Sequence, residues 1–428
     1  MPIGNTTHAT RVDLLTSATP ADPFSPISAA IAYQFTRPLS KTTIALLATF
    51  LVFHALIALF SLVILLLPYV GQKKRSHWIF RTAFIPNRPG EPVCKTPLYL
   101  INTGFFMCIV QLLGSLSTIS FICLQINPSR SLDYALHAQP LIALGLMYLF
   151  EHLAYWIMAH CFLALSYSAC ETSGWTSKGL INWAPPPVLV NVIFSCLPIC
   201  FIVAIAAAIA RGAVGYGIIL EQTRKTLDFL SQGTSVWNQL QDSSRSADQK
   251  ALLMSHLARI QGELKSSTEE SVTNLNSTMR YHHKTQILYL VCICVTCLVF
   301  ILSFWKLTQK LVLQGQNSVF HPNGSAQLDS LHEYPTSQKE AKAPFGTTGR
   351  IYLGALRTDR QLFGFTVRAY ATIFSMITMM VFHLMNIFRT ADAIINPTWH
   401  GVVTWMPTIS GSWSAIPVAW QCWRLYCE

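Results

Sequence analysis

The chain has 428 residues, of which 52% are hydrophobic and only 11% are charged, and its formal net charge is +11. Because soluble domains carry about 25% charged residues, this composition argues against a soluble globular protein. The basic excess does not indicate nucleic-acid binding, since the basic residues flank apolar stretches as they do beside membrane spans.

The first 42 residues are polar and rich in proline, and they contain no early apolar core of the kind that a signal peptide has. We predict that residues 1–42 form a polar tail on the extracellular or lumenal side. The first span must then direct membrane insertion itself.

Apolar stretches of about twenty residues recur along the rest of the chain, and a helix of that length crosses a bilayer core of about 30 Å. The stretches are continuous and do not alternate, which argues against a membrane barrel. We predict an all-α, polytopic membrane protein with about seven transmembrane helices. The predicted spans lie near residues 43–70, 98–126, 139–168, 188–210, 286–307 and 363–388, with a seventh, kinked by Pro407 and Pro417, from His400.

The loop after the first span is strongly basic, with six Lys or Arg residues against Glu91 alone. Positive loops stay cytoplasmic, so this loop is predicted inside and the N-terminus outside, in the plasma membrane or another secretory-pathway membrane. We expect the bilayer's anionic inner-leaflet lipids to be contacted by Lys73, Lys74, Arg75 and Arg81. The sequons at Asn5 and Asn276 fall outside in this orientation, so both are predicted glycosylation sites.

An outside N-terminus and seven spans are the outline of seven-helix receptors. The third span ends in "ALSYSACETSG", without the Asp/Glu-Arg-Tyr ending of those receptors, and "NPTWH" precedes the last span rather than lying near its inner end. The resemblance therefore covers the number of spans only.

Residues 211–285 separate spans four and five and contain no proline. Apolar residues recur at spacings of three and four on both sides of "DSSRSADQ", which predicts an extramembrane antiparallel helical hairpin with Ser246 as N-cap of its second arm. With a turn at this point, Leu227 faces Leu264 and Leu230 faces Ile260. The seam is partly polar, so a homodimer through the hairpin is also expected. A solvated helical linker and a helix lying on the bilayer are the alternatives.

Residues 308–362 are predicted to be a largely disordered cytoplasmic loop.

The predicted spans contain several polar residues, and an ionisable residue at bilayer depth is costly. Either these residues form a ligand pocket, a proton-responsive cluster or a transport path, or they join helices through polar contacts. The members of this predicted intramembrane cluster are Glu151, His152, His160, His54 and His383.

The sequence carries no pattern typical of catalysis or cofactor binding. No HxxxH or HExxH pair, GxSxG elbow, phosphate loop or dinucleotide fingerprint occurs in the chain. We therefore expect a protein that is not an enzyme and that holds no metal or cofactor.

These features favour a receptor- or sensor-like protein in which the exterior hairpin is coupled to spans four and five and responds to an unknown ligand or protein partner. The alternative is a non-signalling membrane organiser, adhesion or fusion factor. A transporter or channel is the third interpretation. Inverted repeats or broken spans would favour it, and no clear repeat is visible in the sequence.

Overall fold

The computed structural model describes residues 22–70, 79–84, 96–168, 186–242, 244–320, 360–390 and 397–413. The described residues are about 90% helical and form no closed sheet. The helices are α1 (Phe24–Thr36), α2 (Lys41–Val70), α3 (Thr103–Ile126), α4 (Leu132–His137), α5 (Pro140–Ser168), α6 (Pro187–Leu240), α7 (Ala247–Phe320), α8 (Arg360–Phe388) and α9 (Pro397–Ser412).

Two short strands, β1 (Phe80–Ala83) and β2 (Leu98–Ile101), pair in antiparallel fashion in the segment between α2 and α3. The all-α prediction missed this pair, and it placed Leu98–Ile101 at the start of the second span. The side chains of β2 are apolar enough to continue the apolar run of α3, so hydropathy alone does not mark the boundary at Thr103.

Six segments of the described chain are long and apolar enough to cross a membrane. They correspond to the first six predicted spans, and the first of them includes α1 as well as α2. The predicted seventh span falls partly on α9. This helix has 16 residues and is about 24 Å long, so it is shorter than the thickness of a bilayer core. The predicted span ends at Trp423, and its remainder, residues 414–423, lies outside the described residues.

The chain divides into two compact units, and the first comprises Met1–Leu39, Leu124–Gln139 and Gly212–Tyr281. Its apolar core joins α1 to the C-terminal half of α6 and the N-terminal half of α7. Phe24, Leu230 and Ile260 are almost fully buried in this core, together with Val236 and Leu257. Further from the turn that connects these two helices, the hydroxyls of Thr226 and Ser267 lie 3.2 Å apart.

The helices of this first unit begin at polar residues that satisfy free backbone N–H groups. Ser246 and Gln249 form a reciprocal capping box at the start of α7, which confirms Ser246 as its N-cap. The carboxylate of Asp22 accepts the backbone N–H groups of Phe24 and Ser25 at the start of α1. Helix α1 was not predicted, because its residues lie in the segment assigned to the polar tail.

The second unit comprises Ser40–Cys123, Pro140–Arg211 and His282–Glu428. Its core is built on α5, where Met147, Tyr148 and Phe162 are buried. Phe162 packs on Phe300 of α7 with ring centroids 5.4 Å apart. Helix α9 packs against α2 and α8, so it belongs to this core although it is short.

Helix α7 runs without interruption for 74 residues and contributes to both units. Its sequence has no Gly or Pro between Gly262 and Gly315, which explains why the helix continues from the polar half into the apolar half. It also continues to Phe320, so residues 308–320 of the predicted disordered loop are helical. Residues 321–359 of that loop lie outside the described part of the chain.

Candidate functional site

Glu151 lies on α5 with only 8% of its surface exposed. Its carboxyl group faces Ser410 of α9, whose Oγ lies 2.9 Å from Oε1 and 2.8 Å from Oε2. The same hydroxyl lies 2.8 Å from the carbonyl oxygen of Pro407. Glu151, whose placement inside the bilayer is the most costly among the residues of the predicted spans, therefore has a polar partner that is distant in the sequence.

The hydrogen-bond geometry at Ser410 bears on the protonation of Glu151. One serine hydroxyl supplies one proton, yet three acceptor oxygens surround it. If Ser410 donates to the carbonyl of Pro407, the contact with Glu151 needs a second proton, which a neutral carboxyl group supplies. If Ser410 instead donates to Glu151, an ionised carboxylate accepts that proton, so the same distances fit both forms of the carboxyl group.

A second set of hydroxyls joins α5, α8 and α9 beside this carboxyl. Ser375 donates to the carbonyl oxygen of Ser410 at 2.6 Å. Its own oxygen lies 2.5 Å from the hydroxyl of Tyr155, which therefore donates to it. Tyr155 follows Glu151 by one helical turn, so both side chains of α5 point towards α9.

His54 of α2 completes the group around Glu151. Its Nε2–H donates to the carbonyl oxygen of Thr408 at 3.0 Å, while its Nδ1 is buried and lacks a hydrogen-bond partner among the described residues. A Cβ atom on Gly411 would lie 2.5 Å from His54 Cε1 and 2.9 Å from Glu151 Oε1. The imidazole and the carboxyl group are therefore close together, and only glycine fits between them. We call Glu151, His54, Ser410 and Gly411 the carboxyl site.

The other predicted members of the intramembrane cluster have hydrogen-bond partners outside the carboxyl site. The hydroxyl of Thr296 on α7 lies 2.8 Å from His152 Nε2 and also donates to the Cys292 carbonyl. The Nδ1–H of His383 donates to Gln286 Oε1 at 2.7 Å, and Gln286 in turn lies 3.3 Å from His282 Nε2. Both of these contacts link a buried histidine to α7.

His160 occupies a third location, near the start of α6. Its Nε2–H donates to the carbonyl oxygen of Tyr99 on β2 at 3.2 Å. Its ring packs edge-on against Phe194 of α6, with centroids 5.1 Å apart. The hydrogen bonds therefore pair His54 with the α9 backbone beside Glu151, and give His152, His383 and His160 partners of their own.

The remaining predicted site residues are at the surface or outside the described chain. Arg81 lies exposed on β1, and Asn276 lies exposed on α7. The other predicted residues, Asn5, Lys73, Lys74 and Arg75, fall outside the described residues. Glycosylation and lipid contact therefore stay predictions.

Sequence reasoning missed most partners of the buried polar residues. Ser410, Thr408 and Gly411 lie in "TISGS", a run of small polar residues inside an apolar stretch, which is a pattern typical of close helix contacts in membranes. Ser375 lies in the apolar middle of α8, and Gln286 lies where the polar half of α7 gives way to the apolar half. Such residues could be recognised as polar contacts, but their sequence positions do not pair them.

The described residues contain no group of three or more His, Cys, Asp or Glu side chains arranged to hold a metal ion. The carboxyl site offers one carboxyl, one imidazole and hydroxyls, a set suited to proton exchange and hydrogen bonding. Comparison of the chain with models of protein families, with curated protein sequences and with solved structures gave no significant match.

Proposed function

We propose that the protein is a receptor- or sensor-like multi-pass membrane protein in which an exterior helical hairpin is coupled to the spans. The hairpin is formed by residues 212–240 of α6 and residues 247–281 of α7. Seven spans and an outside N-terminus belong to the same proposal, with residues 400–423 supplying the last span.

Contacts along the two arms support an antiparallel hairpin. Leu230 shares an apolar core with Ile260, and Thr226 meets Ser267. Still earlier on α6, a Cβ atom on Gly215 would lie 3.2 Å from the hydroxyl of Thr278. Residues progressively earlier on α6 therefore meet residues progressively later on α7, as antiparallel arms require.

The continuity of α7 is the observation that carries the proposal of a sensor. This helix leaves the hairpin at Tyr281 without a break, and five residues later Gln286 contacts the buried His383. Nearly three turns further, Thr296 contacts the buried His152. A rotation or shift of the hairpin would change these contacts, since a regular helix transmits displacement along its axis. A ligand that binds one hairpin state better would then shift the state of the spans.

Locking the hairpin tests this coupling. In the Thr226→Cys/Ser267→Cys variant, the two sulfur atoms replace hydroxyls 3.2 Å apart, so a disulfide should form within one chain. We expect oxidation to change amide hydrogen exchange severalfold in peptides of α8 that include His383, in full-length protein held in lipid nanodiscs. The reduced form of the same variant is the reference.

Two controls make the result specific. Thr226→Cys/Thr268→Cys moves the second thiol to a position beside the contact, so its crosslinking should be weak. Gln286→Ala in the locked variant removes the contact with His383 and should abolish the effect of oxidation on α8. If a disulfide forms within the chain and exchange in α8 is the same in both states, the sensor proposal is wrong. A disulfide formed only between chains would contradict the intrachain hairpin.

Exposed apolar residues on the hairpin favour the alternative of a membrane organiser, adhesion or fusion factor. Leu252 is 72% exposed and Met254 is 58% exposed, although both lie on a polar arm of α7. Large apolar side chains in such positions suit contact with a second copy or with another membrane. Interchain crosslinking through Leu252→Cys, together with unchanged exchange in the locked hairpin, would favour this function.

A further inference from the structure

A cavity of about 660 Å³ lies in the second unit, between the β1–β2 pair and the neighbouring parts of α5 and α6. Its volume is within the range of about 300–1,000 Å³ that is typical of small-molecule sites. The carboxyl site and the hairpin do not line it. The proposed sensor function therefore does not explain the cavity, and a ligand bound there would not depend on that function.

The walls of the cavity are largely aromatic. Trp156 of α5 packs against Phe194 of α6 with ring centroids 5.1 Å apart, and Phe80 and Tyr99 from the strand pair face them. Phe80 is 69% exposed and Tyr99 is 51% exposed. Exposed aromatic rings of this kind are enriched where membrane proteins meet the headgroup region of the bilayer.

Hydrogen bonds hold the strand pair over the helices and so build the cavity. Asn191 of α6 accepts the backbone N–H of Tyr99 at 3.0 Å and donates to the carbonyl of Pro97 at 2.8 Å. His160 of α5 donates to the carbonyl of Tyr99. β2 is thus fixed to both helices, so contacts within the chain hold the walls of the cavity in place.

Two polar groups of the cavity have no hydrogen-bond or ion-pair partner among the described residues. Arg81 lies at the cavity and forms no ion pair within the part of the chain that the structure describes. Trp156 is 4% exposed, and its buried Nε1–H has no hydrogen-bond acceptor among those residues. The guanidinium of Arg81 presents several hydrogen-bond donors and a positive charge, so it suits an oxyanion such as a phosphate.

The position of the cavity along the chain points to the source of that phosphate. β1 and β2 directly precede the membrane-length helix α3, and Asn191 and Phe194 lie in the first turns of α6. The cavity is therefore at the end of several spans. In the predicted orientation this end is cytoplasmic, where anionic lipids are concentrated and where the basic loop of residues 71–97 lies.

We propose that this cavity binds the phosphate-bearing headgroup region of an anionic phospholipid. The headgroup phosphate contacts Arg81, and the glycerol backbone and the start of the acyl chains lie against Phe80, Tyr99, Trp156 and Phe194. The site is specific for one lipid molecule, unlike the general attraction of a basic loop for a negative surface.

Quenching of tryptophan fluorescence tests the proposal, because Trp156 forms part of the wall. Full-length protein in neutral mixed micelles is titrated with phosphatidylserine carrying brominated acyl chains, and in parallel with brominated phosphatidylcholine. The signal of Trp156 is the difference between wild type and Trp156→Phe. We expect this signal to be quenched by phosphatidylserine at about fivefold lower mole fraction, the effect of one surface cation.

Variants separate the cavity from general electrostatics. Arg81→Gln should remove the fivefold preference, whereas Lys306→Gln on α7, which does not line the cavity, should retain it. Ser195→Phe fills the cavity without changing charge and should reduce quenching by both lipids. Arg81 and Ser195 are exposed, so neither variant should prevent folding.

Inorganic phosphate distinguishes a lipid from a soluble ligand. We expect millimolar phosphate not to compete with phosphatidylserine, because the aromatic walls contribute to lipid binding. If phosphate raises the apparent melting temperature through Arg81 and neither brominated lipid quenches Trp156, the site is for a soluble anion and the lipid proposal is wrong. Equal quenching by the two lipids, or a preference that Arg81→Gln leaves unchanged, also overturns it.

Discussion

A carboxyl group at the centre of a membrane span costs about 2.5 to 3.5 kcal/mol on insertion scales, and the surroundings of Glu151 offset part of this cost. Ser410 contacts both carboxyl oxygens, and the hydroxyl of Ser375 orders the Ser410 backbone. Either a carboxylate that accepts from Ser410 or a neutral carboxyl group that donates to it fits these distances. A change between the two forms would change the contact between α5 and α9.

Replacing Glu151 by glutamine tests whether the neutral form is the structural one. The amide group of Glu151→Gln can donate to Ser410 Oγ while Ser410 donates to Pro407, so we expect stability within about 1 kcal/mol of wild type. Glu151→Ala leaves a cavity and removes the partner of Ser410, and we expect a loss of about 2 kcal/mol or more. Apparent melting temperatures of the purified protein between pH 5 and 8 provide the measurement. A glutamine variant as unstable as the alanine variant would show that a charged carboxylate is required.

Gly411 provides a second test at the residue scale. A Cβ atom there would contact His54 at 2.5 Å and Glu151 at 2.9 Å, so one of these buried groups must move. We expect Gly411→Ala to lower stability by about 1–3 kcal/mol, the usual cost of overpacking. Gly262→Ala on α7 is the matched control, since nothing lies within 4 Å of its Cβ and alanine favours a helix by up to about 1 kcal/mol. Equal melting temperatures for both variants would contradict the close approach at Gly411.

The sequence predicts which residues are polar and buried, but not which of them meet. Glu151, His54 and His383 stand out because a charged or polar group in an apolar stretch needs a reason. Their partners Ser410, Thr408 and Gln286 are common small or neutral residues, and each is far away in the chain. The pairing depends on how the helices pack, and helix packing has no local signal in the sequence.

At the scale of elements, α5 and α6 approach closely at a single glycine. A Cβ atom on Gly145 would lie 2.3 Å from Ile209 Cγ1 and 2.8 Å from its Cδ1. Isoleucine is restricted at χ1, so it cannot easily turn away. Small residues at such contacts allow membrane helices to pack closely where hydrophobicity provides no driving force.

We expect Gly145→Ala to weaken the packing of α5 on α6 by about 1–3 kcal/mol, and Ile209→Ala in the same chain to restore part of the loss. A double-mutant cycle based on denaturation in detergent measures the coupling between the two positions. Additive effects of the two substitutions would mean that the contact does not determine how these helices pack.

Helix positions were predicted better than irregular elements, for physical reasons. The apolar windows of α2, α3, α5 and α8 are long enough that length and hydropathy define them. The β1–β2 pair has only four residues per strand, too few for a periodic pattern to show. Helix α1 depends on contacts with distant parts of the chain, since its Phe24 is buried against residues of α6 near Gly233.

At the scale of the whole molecule, the number of spans decides on which side the chain ends. The six membrane-length segments would return the chain to the side on which it began. Helix α9 alone is too short to cross, but Thr404, Thr408 and Ser410 are buried on it, so it lies inside the second unit rather than on its surface. Together with residues 414–428 it has the length to form a seventh, proline-kinked span.

Glycosylation reporters placed at two points of the chain test the seven-span proposal. A tag with a single sequon fused after Glu428 should stay unglycosylated, because seven spans and an outside N-terminus put the C-terminus in the cytoplasm. The same tag after a chain shortened to Thr390 should be glycosylated, since six spans end outside. The natural sequons are first removed by Asn5→Gln, Asn276→Gln and Asn323→Gln, so that any mobility shift on endoglycosidase treatment comes from the tag. Glycosylated tags after both Thr390 and Glu428 would show that the chain beyond α8 does not cross the membrane. An unglycosylated tag after Thr390 with a glycosylated tag after Glu428 would instead mean that the basic loop faces outside. The positive-inside argument, on which the lipid site and the exterior hairpin both depend for their side of the membrane, would then be reversed.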